Sequence, residues 1–245
     1  MIKVENVFKS YKKMENSVSK KQMILKGVSF EIKEGECLGI IGQSGSGKST
    51  LGRLIIGIEK PDKGRITFLG NDIGVKKHRR GMISSVFQDY TSSINPKFNV
   101  LEAIGEPLKV IGEETHIEKK VIALLNKVSL DESYLYKYPH ELSGGQIQRV
   151  AIARAISTNP KFILLDESVS SLDVSIQTQI LDLLISLRKE LKMSYLFITH
   201  DIKTATYICD RIIIFNEGQI VEMCDIGDFS NLKNEYSKKL IESIL

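Results

Sequence analysis

A glycine-rich segment directly after a short apolar run constrains this chain more than any other feature. The run Cys37–Ile41 is followed by Gly42-Gln-Ser-Gly-Ser-Gly-Lys-Ser49, which fits the pattern G-x-x-x-x-G-K-[ST]. Apolar residues with helical spacing come next, at Leu51, Leu54 and Ile55. This order predicts a strand, a loop and a helix. Glycines let such a loop curl so that its N–H groups and the helix N-terminus face phosphate oxygens.

The loop and the first residues of the helix supply the candidate nucleotide-binding residues. They are Gly42, Gln43, Ser44, Gly45, Ser46, Gly47, Lys48, Ser49 and Thr50. In a loop of this type the lysine, here Lys48, reaches the β- and γ-phosphates, and the hydroxyl of Ser49 is a ligand of Mg²⁺. We therefore expect a nucleotide and Mg²⁺ to bind at this loop.

Two adjacent carboxylates end another apolar run. Phe162-Ile-Leu-Leu165 is followed by Asp166 and Glu167. An acidic residue at the end of a buried strand commonly holds Mg²⁺ beside a phosphate-binding loop, directly or through water, and Asp166 is the candidate for this ligand. The neighbouring Glu167 is predicted to polarise a water molecule for attack on the γ-phosphate. These residues alone indicate a nucleotide hydrolase and leave a kinase, a GTPase and a helicase open.

Short apolar runs without polar alternation recur along the chain, and helical patterns separate them. Tyr195–Ile198 and Arg211–Phe215 are further runs of this kind, which is typical of strands buried on both faces of a sheet. Apolar residues with helical period extend from Ile176 to Leu191, and Asp173 is the predicted N-cap. The alternation of strands and helices predicts an α/β fold with a mostly parallel sheet.

Other segments depart from this alternation. Ile2–Val7 and Val28–Ile32 are predicted to be antiparallel strands, separated by a polar surface loop over Lys12–Gln22. Asn216-Glu-Gly218 is predicted to be the turn of a hairpin between two further strands. The middle of the chain, about Asn99–Asn159, has mostly helical spacing and is interpreted as a helical insertion into the α/β core.

Composition argues against several classes of protein. The chain has 245 residues, and its 34 lysines and arginines against 30 aspartates and glutamates leave a net charge of only +4, so we expect no nucleic-acid partner. The three cysteines are widely spaced, which favours neither a disulfide framework nor a zinc site and is typical of a reducing compartment. No apolar run approaches the roughly 18 residues of a membrane-spanning helix, so we expect the chain not to cross a membrane by itself.

The segment Leu142-Ser-Gly-Gly-Gln146 narrows the class of hydrolase. It resembles the signature sequence of the ATP-binding cassette (ABC) family, and further motifs then match that family in order along the whole chain. Tyr11 matches the aromatic residue that stacks on adenine, and Gln88 matches the Q-loop. Ser170-Ser-Leu-Asp173 matches the D-loop, and His200 matches the switch histidine.

The resemblance implies a fold and a domain organisation. The fold would be α/β, a P-loop NTPase of the ABC ATPase type, with a mostly parallel core, an antiparallel β subdomain and a helical insertion. Residues 1–245 would form a single ATP-binding domain. Its ATPase core would be 1–88 and 160–245, and its insertion would be 89–159.

The resemblance also implies the cofactors, ATP and Mg²⁺, and the roles of the site residues. The catalytic residues would be Glu167, His200 and Gln88, and the metal would be held by Ser49, Gln88 and Asp166. Asp173 is a further candidate for nucleotide binding. In the family the signature loop of one subunit completes the nucleotide site of another. The residues that would face the ATP of the partner subunit are Ser143, Gly144, Gly145 and Gln146.

One branch of the family is favoured by the residues after Gln88. The segment 89–100 is similar to the S-L-N-P stretch of oligopeptide, dipeptide and nickel importers, and Ser49-Thr-Leu-Gly-Arg53 resembles the second of their two ATPase subunits. The implied partners are a paralogous ABC ATPase subunit, two membrane-spanning permease subunits and, indirectly, an extracellular solute-binding protein. The implied location is the cytoplasmic face of the membrane, as a peripheral subunit.

The chain departs from the importer pattern in two places. Ser168 follows Glu167 where the family usually has proline or alanine, which we expect to be tolerated. The chain also ends at Leu245, before the cysteine-bearing tail of many peptide-importing members. On that basis we expect nickel or a metal–metallophore complex as cargo rather than a peptide, while both remain open.

Two other functions within the family stay open at this point. One is a cytosolic ABC-type ATPase without a membrane partner, as in DNA repair, translation or iron–sulfur assembly. The chain has no long coiled coil of the repair type and only one cassette, which argues against this alternative. The other is an exporter ATPase, and the importer-like segment 89–100 argues against it.

Overall fold

The computed structural model describes residues 1–15, 18–88, 93–170 and 172–242. The chain forms two compact units, one of Met1–Arg79 with Ser194–Leu245 and the other of Arg80–Met193. The boundaries that the sequence suggests for a helical insertion, 89 and 159, remain a prediction.

The secondary structure alternates between strands and helices over most of the chain. In chain order the strands are β1 (Ile2–Glu15), β2 (Val18–Ile32), β3 (Cys37–Ile41), β4 (Lys63–Phe68), β5 (Asn71–Asp72), β6 (Ile83–Phe87), β7 (Phe162–Asp166), β8 (Ser194–Thr199), β9 (Arg211–Asn216) and β10 (Gln219–Asp225). The α-helices are α1 (Lys48–Ile55), α2 (Lys76–Arg79), α3 (Val100–Val110), α4 (Ile117–Lys127), α5 (Gly144–Ile156), α6 (Val174–Leu191), α7 (Ile202–Ile208) and α8 (Glu235–Glu242). Short 3₁₀ helices cover Glu132–Tyr134, Pro139–Glu141 and Ile226–Asn231.

The first unit contains an antiparallel sheet with the strand order β2-β1-β4-β5. Ile2 of β1 is paired with Ile32 of β2 and with Phe68 of β4, and all three side chains are buried. This sheet confirms the predicted antiparallel subdomain.

The predicted surface loop over residues 12–22 is wrong for every described residue in it. Residues 12–15 extend β1 and residues 18–22 extend β2, with Lys12 paired with Lys21, while residues 16 and 17 lie outside the described ones. The error has a physical cause. A segment rich in lysine and serine has the composition of a loop, but the hydrogen bonds of a strand ladder come from the backbone and need no apolar side chain.

The same unit contains a second, mainly parallel set of strands in the order β10-β9-β3-β8. β3 is parallel to both of its neighbours, and β10 is antiparallel to β9 through the predicted hairpin. Glu217 and Gly218, between β9 and β10, both have positive φ, as the favoured two-residue hairpin turn requires. A Cβ at residue 218 would lie 2.1 Å from the carbonyl oxygen of Ile24, so only glycine fits there.

Burial explains why the central strands lack polar alternation. Every residue of β3 and β8 is buried, and α7 packs against both strands. Side chains on both faces of each strand are therefore removed from water, which favours continuous apolar runs.

The second unit combines one parallel strand pair with helices. β6 and β7 are parallel, with Ile83 opposite Phe162, and α3, α4 and α5 pack against one another. The mostly helical middle of the chain is thereby confirmed. Among the described residues, no helix combines the length and the apolar character that crossing a membrane requires.

Candidate active site

The loop between β3 and α1 is fixed from one side by the hairpin of β9 and β10. Gly42 lies so close to this hairpin that a Cβ would be 2.0 Å from the carbonyl oxygen of Phe215. The N–H of Gly218 donates to the carbonyl oxygen of Ser46 over 2.9 Å. Gly47, at the end of the loop, has a φ of 106°, which a residue with a side chain rarely adopts. The glycines of the motif are therefore required by close approach and by backbone conformation.

Two side chains of the loop fit a bound anion. Lys48 is only 5% exposed, and its ammonium group donates to the carbonyl oxygens of Gly42 and Gln43 over 2.7 and 2.9 Å, so the charge lies over the loop. The hydroxyl of Ser46 is buried without a hydrogen-bond partner among the described residues, which is unfavourable unless a ligand supplies one. The first turn of α1 contains no acidic residue, so its N–H groups favour an anion. These features fit the phosphates of a nucleotide.

Tyr11 is linked to α1 by hydrogen bonds between side chains. Its hydroxyl donates to Glu59 over 2.5 Å, and Nε of Arg53 donates to the same carboxylate over 2.7 Å. Arg53 also donates to the hydroxyl of Thr50 over 3.1 Å. Burial opposes the charge of Glu59, but the hydrogen bonds from Tyr11 and Arg53 outweigh it and lower the pKa of this carboxyl group. The half-buried ring of Tyr11 is thus oriented by residues that adjoin the phosphate loop.

His200 lies at the same edge of the sheet as the phosphate loop. In the parallel pair of β3 and β8, Ile41 is opposite Thr199, so Gly42 and His200 are the next residues along the two strands. His200 is exposed, and Asp201 after it is the N-cap of α7. The fold of the first unit therefore brings the predicted phosphate loop and the predicted switch histidine to one edge.

The second unit places three predicted site residues at one edge of its strand pair. Phe87 of β6 is opposite Asp166 of β7, so Gln88 and Glu167 are the next residues along these parallel strands. Asp166 is 7% exposed, Glu167 is half-buried and Gln88 is exposed. Carboxylate and amide oxygens are hard donors of the type that Mg²⁺ prefers, so this group fits a magnesium-dependent hydrolytic centre.

Glu167 begins a tight turn after β7. Its φ is 48°, in the left-handed region, which costs a residue with a side chain about 1–2 kcal/mol. Its carbonyl oxygen accepts hydrogen bonds from the N–H and the hydroxyl of Ser170, over 3.3 and 2.9 Å. Backbone strain of this kind is concentrated at functional sites, which is consistent with a chemical role for Glu167.

The predicted signature segment forms the start of α5. The hydroxyl of Ser143 accepts from the N–H of Gln146 over 3.4 Å, and Oε1 of Gln146 accepts from the N–H of Ser143 over 2.9 Å, which is a capping box. Gly145 packs against α6, where a Cβ would lie 2.9 Å from Cγ2 of Ile176. Ser143 and Gly144 are exposed, and the first turn of this 13-residue helix has no acidic residue. The exposed N-terminus of α5 fits an anion.

Asp173 has a structural role that the sequence predicts. Its carboxylate accepts from the N–H of Ile176 over 3.0 Å and caps α6, so the predicted N-cap is confirmed. A contact between Asp173 and a nucleotide stays a prediction. Ser171 of the D-loop motif and residues 89–92 of the importer-like segment lie outside the described residues.

Three residues that support the site are not identifiable from the sequence pattern. Glu59 orients Tyr11, the hydroxyl of Tyr134 accepts from Nε2 of Gln146 over 3.0 Å, and Gln148 is hydrogen-bonded to the turn after β7. Each contact joins segments that are distant in the chain, so no local spacing signals it.

Comparison with known proteins adds independent evidence. The family model described as "ABC transporter" matches residues 25–170. The metal-staphylopine import system ATP-binding protein CntF of Staphylococcus aureus (strain NCTC 8325) is 51% identical over 247 residues, which cover 100% of this chain and 99% of that protein. The oligopeptide transport ATP-binding protein OppF of Haemophilus influenzae is 42% identical, over 90% of this chain and 69% of its own length.

The fold has solved counterparts as well. The ATP-binding cassette MJ0796, in a dimeric post-hydrolysis state bound to ADP and Pi, matches with a TM-score of 0.81 and 34% identity, over 92% of this chain and 99% of that one. The fold and the two groups of site residues thus define a nucleotide hydrolase of the P-loop type. The chain belongs to the ABC transporter family, and it is an ATP-hydrolysing subunit of an importer.

Proposed function

We propose that this chain hydrolyses MgATP at a site shared with a second, paralogous ATPase subunit and so drives the import of a metal–metallophore complex. The observation that carries the proposal is the register of two pairs of parallel strands, β3 with β8 and β6 with β7, at their carboxyl ends. Gly42 and His200 follow the pair in the first unit, and Gln88 and Glu167 follow the pair in the second. Ligands of parallel α/β folds bind at the carboxyl ends of the strands.

The phosphates are bound by the loop of residues 42–50. Its backbone N–H groups and the ammonium of Lys48 neutralise the β- and γ-phosphates, and Tyr11 stacks on the adenine ring. The residues that hold Mg²⁺ are Ser49, Gln88 and Asp166. When bound, the ion neutralises charge on the phosphate oxygens.

The hydrolytic step is assigned to two side chains. The carboxylate of Glu167 accepts a hydrogen bond from the attacking water and takes its proton. The imidazole of His200 donates a hydrogen bond to the γ-phosphate, so its contact is lost when that phosphate leaves. Hydrolysis is thereby linked to a change at the carboxyl end of β8.

The exposed N-terminus of α5 supports a site shared between two chains. Ser143 and Gly144 are exposed and oriented by the capping box, as residues that meet the nucleotide of another subunit must be. The resemblance of Ser49-Thr-Leu-Gly-Arg53 to the second of two importer ATPases favours a paralogous partner over a second copy of this chain. ATP then stabilises a closed pair of subunits, and hydrolysis releases it.

The importer relatives support an assembly at the membrane. In this proposal the chain binds two membrane-spanning permease subunits at the cytoplasmic face, and an extracellular solute-binding protein delivers the cargo to them. The chain itself contacts neither the cargo nor a nucleic acid.

A metal–metallophore complex is proposed as the cargo rather than a peptide. The Staphylococcus aureus relative, whose name assigns it to metal-staphylopine import, matches this chain from end to end at 51% identity. The oligopeptide relative matches at 42% and over only 69% of its length.

We expect the isolated chain to bind MgATP and to hydrolyse it about 10²-fold more slowly than the assembled transporter. The reason is that donors supplied by the partner's signature loop are missing, and removing preorganised donors to developing charge has an effect of this size. Phosphate release per active site is measured for the chain alone and for the chain with its paralogous ATPase and permease subunits in liposomes. Equal rates per site would contradict a shared site.

The same liposomes test the cargo. Binding protein loaded with a metal–metallophore complex is expected to stimulate ATP hydrolysis and uptake of the labelled metal, whereas peptide is not taken up. Uptake of peptide with no uptake of the metal complex would overturn the proposed cargo while leaving the ATPase assignment intact.

Replacing Tyr11 by alanine is expected to weaken ATP binding about 5- to 150-fold, because base–aromatic stacking contributes about 1–3 kcal/mol per base. Affinity for inorganic tripolyphosphate, which has no base, should not change. Tyr11→Phe is the matched control, since it keeps the ring and removes only the hydroxyl that bonds to Glu59. Calorimetric titration measures both ligands, and an equal loss of affinity for both would show that Tyr11 shapes the loop rather than stacking on adenine.

A further inference from the structure

The side chain of Gln148 connects the helix of the signature segment to the turn that carries Glu167. Gln148 lies in α5, five residues after the N-cap Ser143, and it is 0% exposed. Its Nε2 donates to the carbonyl oxygen of Ser168 over 2.6 Å. Since Ser168 directly follows Glu167, this hydrogen bond fixes the backbone next to the proposed catalytic carboxylate.

A glutamine at this position brings an unfavourable contribution to stability as well as this hydrogen bond. Oε1 of Gln148 and the hydroxyl of Ser168, itself 1% exposed, are both buried without a hydrogen-bond partner among the described residues. A buried polar atom without a partner is unfavourable, and an apolar side chain of similar volume would avoid that penalty. What such a side chain would lose is the hydrogen bond to the turn, and the carbonyl oxygen of Ser168 would lose this donor with it.

The turn needs an anchor of this kind. Glu167 has a φ of 48°, a strained value that persists only where surrounding structure holds it. The hydrogen bonds that Ser170 donates to the carbonyl of Glu167 are internal to the turn and move with it. Gln148 instead reaches the turn from a helix, which is a rigid element.

We propose that Gln148 is a positioning residue, which holds the turn so that the carboxylate of Glu167 keeps one orientation, and which couples this turn to the signature segment of the same chain. The proposal rests on the proposed function, in which Glu167 acts at this chain's site and the signature segment contacts the partner's ATP. Because Ser143 and Gln148 belong to one helix, a displacement at the partner's nucleotide is passed to the turn of Glu167. The two ATP sites of a pair are thereby coupled through α5.

The test uses Gln148→Met, which preserves the volume and removes the donor. The kcat of the assembled transporter is expected to fall about 10- to 100-fold, since a small misplacement of a catalytic group has effects of this order. The KM for ATP should change less than about threefold, because the phosphate loop is untouched. The midpoint of unfolding by urea is expected to stay close to that of the unmodified chain, because the substitution removes the unpartnered Oε1 but also takes the donor from the carbonyl oxygen of Ser168.

Gln179→Met is the matched control. It makes the same chemical change on α6 of the same unit, where the exposed Gln179 accepts from Arg149 over 3.3 Å. Its kcat and KM are expected to be those of the unmodified protein. Gln148→Leu is a second variant that removes the donor, and retention of full kcat by both Gln148 variants would overturn the proposal, as would a raised KM with unchanged kcat.

A double substitution separates positioning from a general structural effect. If Gln148 acts through Glu167, then adding Gln148→Met to Glu167→Gln should lower the single-turnover rate less than about twofold further. If the double variant instead lost the product of the two separate losses in single-turnover rate, the proposal would be overturned. If Glu167→Gln alone retained full turnover, the assignment of Glu167 as the base would fail, and the positioning role of Gln148 with it. Loss of turnover in Glu167→Gln together with full turnover in Gln148→Met would refute only the positioning role.

Discussion

Replacing Glu167 by glutamine is expected to leave ATP binding unchanged and to slow hydrolysis by about 10²–10⁴-fold, the usual effect of losing a positioned base. The amide keeps the size of the side chain and its capacity for hydrogen bonds, but it cannot accept the proton of the attacking water. Binding survives because Lys48 and the phosphate loop belong to a different part of the chain. Phosphate release and nucleotide titration on the assembled transporter measure the two quantities separately.

The same variant tests the shared site. With hydrolysis stalled, the closed pair should accumulate when MgATP is added to the variant mixed with its purified paralogous ATPase subunit and no permease. Light scattering reports the increase in mass. Glu190→Gln, which removes an exposed carboxylate paired with Lys127 on the surface, is the control and should keep full turnover. Full turnover in Glu167→Gln would exclude this carboxylate as the base. A pair that never forms on addition of MgATP would instead contradict the shared site.

Local constraints explain which parts of the site the sequence predicts. The phosphate loop is encoded by glycines whose backbone conformation or close packing admits no other residue, as at Gly42 and Gly47. β3, which leads into the loop, and the central residues of its neighbour β8 are continuous apolar runs because both strands are buried on both faces. Their order and parallel direction then bring residues such as Gly42 and His200 to one edge. These constraints of backbone conformation and burial act within a few residues of each motif, so they can be recognised in the local sequence.

Contacts between distant segments explain what the sequence could not predict. Nothing in the spacing of Gln148 distinguishes it from Gln179, since both lie within helices, and only the fold brings one of them against the turn after β7. The same holds for Glu59, which bonds to Tyr11 across 48 positions of the chain. The prediction of a loop over residues 12–22 is wrong for its described residues for a related reason, because pairing through the backbone leaves no mark on side-chain composition.

Replacing Lys48 by alanine is expected to weaken MgATP binding by about 10²- to 10³-fold and to abolish transport. Truncating one partner of a buried, charged hydrogen bond costs about 2–5 kcal/mol, and Lys48 is 5% exposed with its ammonium held over the loop. The loss has a second source, since the carbonyl oxygens of Gly42 and Gln43 lose the donor that holds them in place. Calorimetric titration of the purified chain with MgATP measures the affinity.

The two sources of this loss are distinguishable by experiment. If the charge acts on the phosphates, the loss of affinity caused by Lys48→Ala should grow from AMP to ADP to ATP. The reason is that each added phosphate brings more negative charge to the ammonium group. A deficit that is equal for all three nucleotides indicates instead that the loop has lost its shape. Lys3→Ala, an exposed lysine of β1 in the same unit, controls for net charge and should bind all three normally. Full affinity for ATP in Lys48→Ala would show that this loop is not the nucleotide site, and the proposed function would fail with it.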